Sequence, residues 1–153
     1  MSYVTRVLQP GEAVVYTTTL HWQIYVRAVV LFLIAVGFAI ASQWLSGNGR
    51  NALLAAAALA LLLAISSWFR AWIRRATTEL AVTDARVIYK AGLLRRHTLE
   101  MNRSKVESVD VDQTLMGRIL GYGTVIVRGT GGSLEPMRNI SGPLDFRSTI
   151  TAG

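Results

Sequence analysis

The chain predicts an α+β membrane protein: a two-helix transmembrane hairpin followed by a small antiparallel β domain that ends in a helix. Three observations carry that expectation. Two apolar runs, residues 24–45 and 52–69, lie close together, with no charged residue from Ala28 to Leu45 or from Ala52 to Phe69. Beyond Arg75 the pattern changes to short alternating segments separated by turn formers. Near the C-terminus, Pro143 opens a stretch in which Leu144, Phe146 and Ile150 supply apolar contacts.

Each apolar run is long enough, at ~1.5 Å of rise per residue, to cross the hydrocarbon core of a bilayer. Between them Ser46-Gly47-Asn48-Gly49-Arg50-Asn51 reads as a loop of turn formers, and a short loop makes neighbouring helices antiparallel. A soluble helical hairpin needs a polar face on each helix, and Ala52 to Ile65 has none. A cleaved signal peptide starts nearer the N-terminus and is not followed at once by a second span, so that reading is rejected. The small residues of Ala52–Ala64 suit close packing against the partner helix or against another copy.

Charge sets the expected orientation. Arg6 and Arg27 lie on the N-terminal flank of the uncharged stretch that starts at Ala28, and Arg70, Arg74 and Arg75 follow the second run, whereas the loop holds only Arg50. Both termini are therefore expected in the cytoplasm, with the chain in the cell (inner) membrane and the connecting loop on the far side. All four tryptophans, Trp22, Trp44, Trp68 and Trp72, fall at the ends of the runs and are expected as interfacial anchors.

In the β domain, Thr77–Thr83, Arg86–Ala91, Leu94–Met101, Val106–Val111 and Gly123–Arg128 read as at least five strands. Thr114–Leu120 interrupts them with Leu115, Ile119 and Leu120 at helical spacing and Gly121 as a stop. Gly129–Ser133 reads as a hairpin tip. The stretch Gly11–Leu20 is strand-like, and a hairpin with both ends on one side returns it to the later sheet, where it closes an open edge. The organisation is then residues 1–21 as an N-terminal strand segment, 22–75 as the hairpin, and 76–153 as the β domain.

Composition excludes several chemistries. With no cysteine there are no disulfides, thiolate metal sites or cysteine nucleophiles. The net charge of +7 lies mostly after the second run, and it fits a positive-inside bias, anionic lipid or nucleic acid. Nucleic acid is disfavoured because exposed aromatics do not interleave with the basic residues. His21 and His97 read as structural. Glu107, Asp110 and Asp112 lack the Gly-centred loop and further ligands of a cation site, so they read as a solvated strand edge. The glycines at 121, 123, 129, 131 and 132 lack the lysine and the strand-loop-helix setting of a phosphate loop. No catalytic constellation, metal or cofactor is expected.

The order of these segments resembles the bacterial membrane-bound pleckstrin-homology-like proteins. The resemblance is carried by Leu8-Gln9-Pro10-Gly11-Glu12 and His21-Trp22 ahead of the helix pair, by Leu80 through Gly92, by Val106-Glu107-Ser108-Val109, and by Gln113 through Val125. It implies a PH-like fold, a strongly bent antiparallel sheet closed at one end by a C-terminal helix. It does not imply phosphoinositide binding, since the basic loop that reads inositol phosphates is not a fixed feature of bacterial members.

The function expected is a non-enzymatic integral membrane protein that presents this domain at the membrane surface for lipid or protein binding and self-assembly. The alternative is a small transport, channel or accessory subunit, which the lack of charge inside either run weakens. Lipid headgroups are expected to meet Arg70, Arg74, Arg75, Lys90, Arg95 and Arg96, the last three flanking an apolar turn at Leu93-Leu94. Expected partners are membrane lipids, a second copy of the chain in a homo-oligomer, and other membrane proteins.

Overall fold

Pro10 and Gly11 place a tight turn before the first strand. Gly11 has φ +87°, the left-handed value that a turn of this kind requires, and Glu12 N–H donates to Gln9 O at 3.0 Å. In the computed structural model, which describes residues 3–93, 97–130 and 134–152, a short helix α1 (Tyr3–Val7) precedes this turn and strand β1 (Val14–Thr18) follows it.

The chain forms two compact units, residues 22–73 and residues 1–21 with 74–153. The first is helical. A 3₁₀ turn (Trp22–Tyr25) leads into α2 (Val26–Ala41), a second 3₁₀ turn covers Ser42–Trp44, and α3 runs from Gly47 to Thr77. Both stretches are long and apolar enough to cross a membrane. Only small residues are buried on them: Ala28, Ala35 and Ser42 on one, and Ala57, Ala60, Ala64, Ser67 and Ala71 on the other. Their large side chains point outward. Small residues at that three- and four-residue spacing let helix backbones approach closely. Tyr25 meets Trp68 with ring centroids 4.7 Å apart, as an antiparallel pair requires.

Two boundaries differ from the sequence reading. The expected loop at Ser46–Asn51 shrinks to Leu45 and Ser46, because helix α3 extends into the polar residues from Gly47. Leu45 closes over its first turn, where a Cβ on Gly49 would lie 2.8 Å from the Leu45 side chain. At the other end α3 continues to Thr77, so the following strand starts two residues later than Thr77, at Glu79.

Among its described residues the second unit carries seven strands, where at least five and the N-terminal one were expected. Strands β2 (Glu79–Thr83), β3 (Arg86–Ala91) and β4 (His97–Asn102) pair antiparallel, with β1 on the free side of β2, in the order β1-β2-β3-β4. The N-terminal strand therefore does complete this sheet, with Thr18 opposite Leu80. After a 3₁₀ turn at Arg103–Lys105, β5 (Val106–Asp112), helix α4 (Leu115–Leu120), β6 (Tyr122–Gly129) and β7 (Leu134–Ser141) follow, and the strands form a second sheet ordered β5-β6-β7. Instead of one bent sheet, hydrogen bonding divides the strands in two, and a bridge between Leu20 and Ile140 joins them. Helix α5 (Pro143–Thr151) begins at Pro143, and its Phe146 and Ile150 enter the space between the sheets with Leu80, Val82, Val87, Val125, Val127 and Met137. On the outer face of the first sheet, Val4 of α1 packs on Ala81 and Ile88.

Candidate membrane-facing site

The antiparallel order assigns each connection to one of two ends. The chain leaves the β unit after β1 and returns before β2, at the end where Glu79 pairs with Lys90 and Ala91 with His97. The β3–β4 connection, with Leu93, shares this end. So does α4, because Tyr122 at the start of β6 pairs with Ser141, and the neighbouring Ile140 bridges to Leu20. The opposite end carries the Asp84-Ala85 turn and the Arg103–Lys105 turn.

His21 ties the exit together. It is buried, its backbone N–H donates to Asn139 O at 2.8 Å, and its ring stacks on Tyr122 with centroids 5.2 Å apart. Asn139 has φ +61°, a conformation Asn tolerates better than most residues. Burial holds the His21 pKa below its usual value and the Arg75 charge acts the same way, against a hydrogen bond to the Leu120 carbonyl. The ring is thus a neutral donor clamping the exit of β1 to the end of α4, in keeping with the structural role expected of it.

Helix α4 is fixed by its own sequence. Thr114 Oγ accepts from Gly117 N–H at 3.1 Å as an N-cap, and Gly121 ends the helix at φ +75°. Gln113 Nε2 donates to Tyr122 O at 2.9 Å, closing the loop beneath. Gly117 faces the sheet so closely that a Cβ would lie 2.6 Å from Tyr122 O. Its apolar side chains point the other way: Leu115 is 79 % exposed, Ile119 77 %, Met116 64 % and Leu120 41 %. The spacing of Leu115, Ile119 and Leu120 identified the helix, but periodicity carries no sign of whether that face meets a core or the surroundings.

The basic residues divide. Arg70 and Arg74 share one face of α3, and Arg70 donates to Ser66 Oγ at 3.2 Å and Ser67 Oγ at 3.4 Å. Arg74 and Arg75 are exposed in the last turns of α3, where positive charge also complements the helix dipole. Lys90 is drawn off to a partly buried ion pair with Glu79 at 3.5 Å. Arg95 and Arg96 lie outside the described residues, as do Leu94 and the tip at 131–133. Trp22, Trp44, Trp68 and Trp72 are each at least half exposed. Asp110 faces Arg128 at 3.1 Å on the exposed surface of the second sheet.

One network was missed by sequence reasoning. The nearly buried Glu12 carboxylate accepts from Arg86 Nε at 2.9 Å, Arg86 NH2 at 2.8 Å, Thr83 Oγ at 2.7 Å and Gln9 N–H at 2.8 Å. Arg86 also donates to Val7 O at 2.6 Å and Glu100 at 2.7 Å. The Arg86 hydrogen bonds, with those from Gln9 and Thr83, hold the Glu12 pKa down to about 2. The two segments involved, Gln9–Glu12 and Thr83–Arg86, both belong to the stretches that carry the family resemblance. Their pairing across more than seventy residues gave no local signal.

A family model described as "Bacterial PH domain" matches residues 15–152. No curated protein and no solved structure matches the chain. The matched segment takes in both long helices together with the described strands, except the first residue of β1, and the C-terminal helix, nearly the whole sequence. The chain belongs to the bacterial PH domain family.

Proposed function

We propose that the chain is a non-enzymatic integral membrane protein whose helical hairpin holds a PH-like domain against the cytoplasmic surface of the cell membrane, where the domain binds lipids or protein partners. One observation carries the reading. Two helices of bilayer-crossing length, with large apolar side chains turned outward, are inserted between the first and second strands of one β sheet. Helix α3, with 31 residues, extends ~46 Å, more than the ~30 Å hydrocarbon core requires. Its C-terminal turns with Arg70, Arg74 and Arg75 then fall at headgroup depth, on the side that positive charge favours. Membership of the bacterial PH domain family supports a binding role for the domain.

The absence of native cysteine makes the test direct. Asn48→Cys and Ser104→Cys, in separate chains, are exposed to an impermeant thiol reagent in intact spheroplasts. The expected result is labelling of Asn48→Cys alone, with Ser104→Cys reacting only after lysis. Labelling of Ser104→Cys in intact spheroplasts reverses the orientation, and extraction of the chain by alkaline carbonate removes the anchor altogether.

A further inference from the structure

We infer that helix α4 is a second membrane-contact element, an apolar wedge that enters the bilayer interface beside the point where the chain leaves the β unit. The inference rests on the proposed anchoring and adds a site to it. Leu115, Met116, Ile119 and Leu120 form one continuous face of α4, while Gly117 seats the opposite face on the Tyr122 backbone. A solvated helix of this size is ordinarily patterned the other way, with its apolar face inward. The exposure is not scattered. Among the described residues of the β unit, eight large apolar side chains are exposed, and six of them belong to the exit end: the four on α4, Leu93, and Leu144 beside Gly121 and Gly142. The opposite end carries Asp84, Arg103, Ser104 and Lys105 instead. Contiguous exposed apolar surface marks an interaction site.

The chain's own connectivity identifies the occupant. His21, which binds the Leu120 carbonyl and stacks on Tyr122, is followed at once by the first candidate span at Trp22. The α4 face therefore sits at the end of the domain that the hairpin joins to the bilayer. Acidic residues are present at this end, at Glu79, Asp112 and Asp145, but α4 itself contains Arg118 and no acidic residue, and Arg74 and Arg75 lead into β2. Apolar side chains with basic neighbours suit the boundary between acyl chains and anionic headgroups.

The test uses the full chain reconstituted in vesicles of phosphatidylcholine and phosphatidylglycerol, with an environment-sensitive fluorophore on a single introduced cysteine. Ile119→Cys reports on the wedge, Ser104→Cys on the opposite end and Leu33→Cys on the first long helix. All three positions are exposed, so labelling leaves the packing intact. The expected result is a blue-shifted Ile119→Cys label quenched by acyl-chain spin-labelled lipid several-fold more than the Ser104→Cys label. An Ile119→Cys label that behaves like Ser104→Cys while Leu33→Cys is quenched overturns the wedge and leaves the anchor standing. Absence of quenching at Leu33→Cys as well overturns both. Protection from aqueous iodide without lipid quenching, lost when the chain is diluted into excess lipid, assigns the face to a second copy and also overturns the wedge.

Discussion

Arg86 and Glu12 show how one ion pair fastens the turn at Gln9–Glu12 to the turn between β2 and β3. The carboxylate is nearly buried and accepts four hydrogen bonds, so removing its cation leaves a charge with insufficient compensation. Arg86→Ala is expected to cost roughly 3 kcal/mol, read as a lowered unfolding midpoint in detergent. Two titrations then shape the acid limb of stability. The lowered pKa of His21 means the unfolded chain takes up its proton first, so stability falls as pH drops below the ordinary value of 6.5. Glu12 acts lower. Its contribution is full above 4.5 and is lost as pH falls towards about 2. His21→Phe should flatten the upper part of the unfolding profile and spare the lower; an unchanged profile between pH 7 and pH 5 would contradict the assignment.

Elements whose signals are local were legible in the sequence. Gly121 and Pro143 mark the end of α4 and the start of α5 through backbone chemistry confined to a few residues, and the structure uses both as expected, whereas Thr114, read as part of the helix, stands outside it as the N-cap. Strand β7 was not legible, because Pro136 and the polar residues around it argue against a strand. It forms because the second sheet places it at an edge, where a missing N–H is tolerated. Helix α1 has five residues and depends on its contact with Ala81 and Ile88, far away in sequence. Nor did helical spacing reveal that the apolar face of α4 is bare. Its seating makes a sharp prediction: Gly117→Ala puts a methyl 2.6 Å from a backbone oxygen that no side-chain rotation can move. A loss on the order of 1–3 kcal/mol is expected, the usual range for overpacking, with Leu115→Ala as a near-neutral control on the same helix. Equal stabilities for the two variants would show that the loop yields.

For the whole molecule, the asymmetry of charge matters as much as the insertion of the hairpin. The net charge of +7 is large for 153 residues, and Arg70, Arg74 and Arg75 concentrate part of it at the end of α3. Each exposed basic residue beside an anionic leaflet contributes on the order of 1 kcal/mol. Arg74→Gln with Arg75→Gln should therefore lower the proportion of anionic lipid that co-purifies with the chain, measured against a zwitterionic standard. Retention of the wild-type proportion would remove these two residues from the headgroup site. The proposed headgroup site is only partly a matter of local signals: the run of arginines after the apolar segment is read directly from the sequence, whereas the diversion of Lys90 to Glu79 depends on strand register.

Strand β1 is separated from its partner β2 by both long helices, and this makes the sheet sensitive to parity. With the hairpin crossing the bilayer as proposed, β1 and β2 meet only when the number of crossings between them is even. A copy that inserts one helix and strands the other leaves the two strands in different compartments, with the β2 edge bare and Glu12 parted from Arg86. Topology and folding are then one event. Completion of the first sheet reports that insertion went correctly, and a misinserted copy exposes an unfinished edge to whatever proteases patrol the membrane.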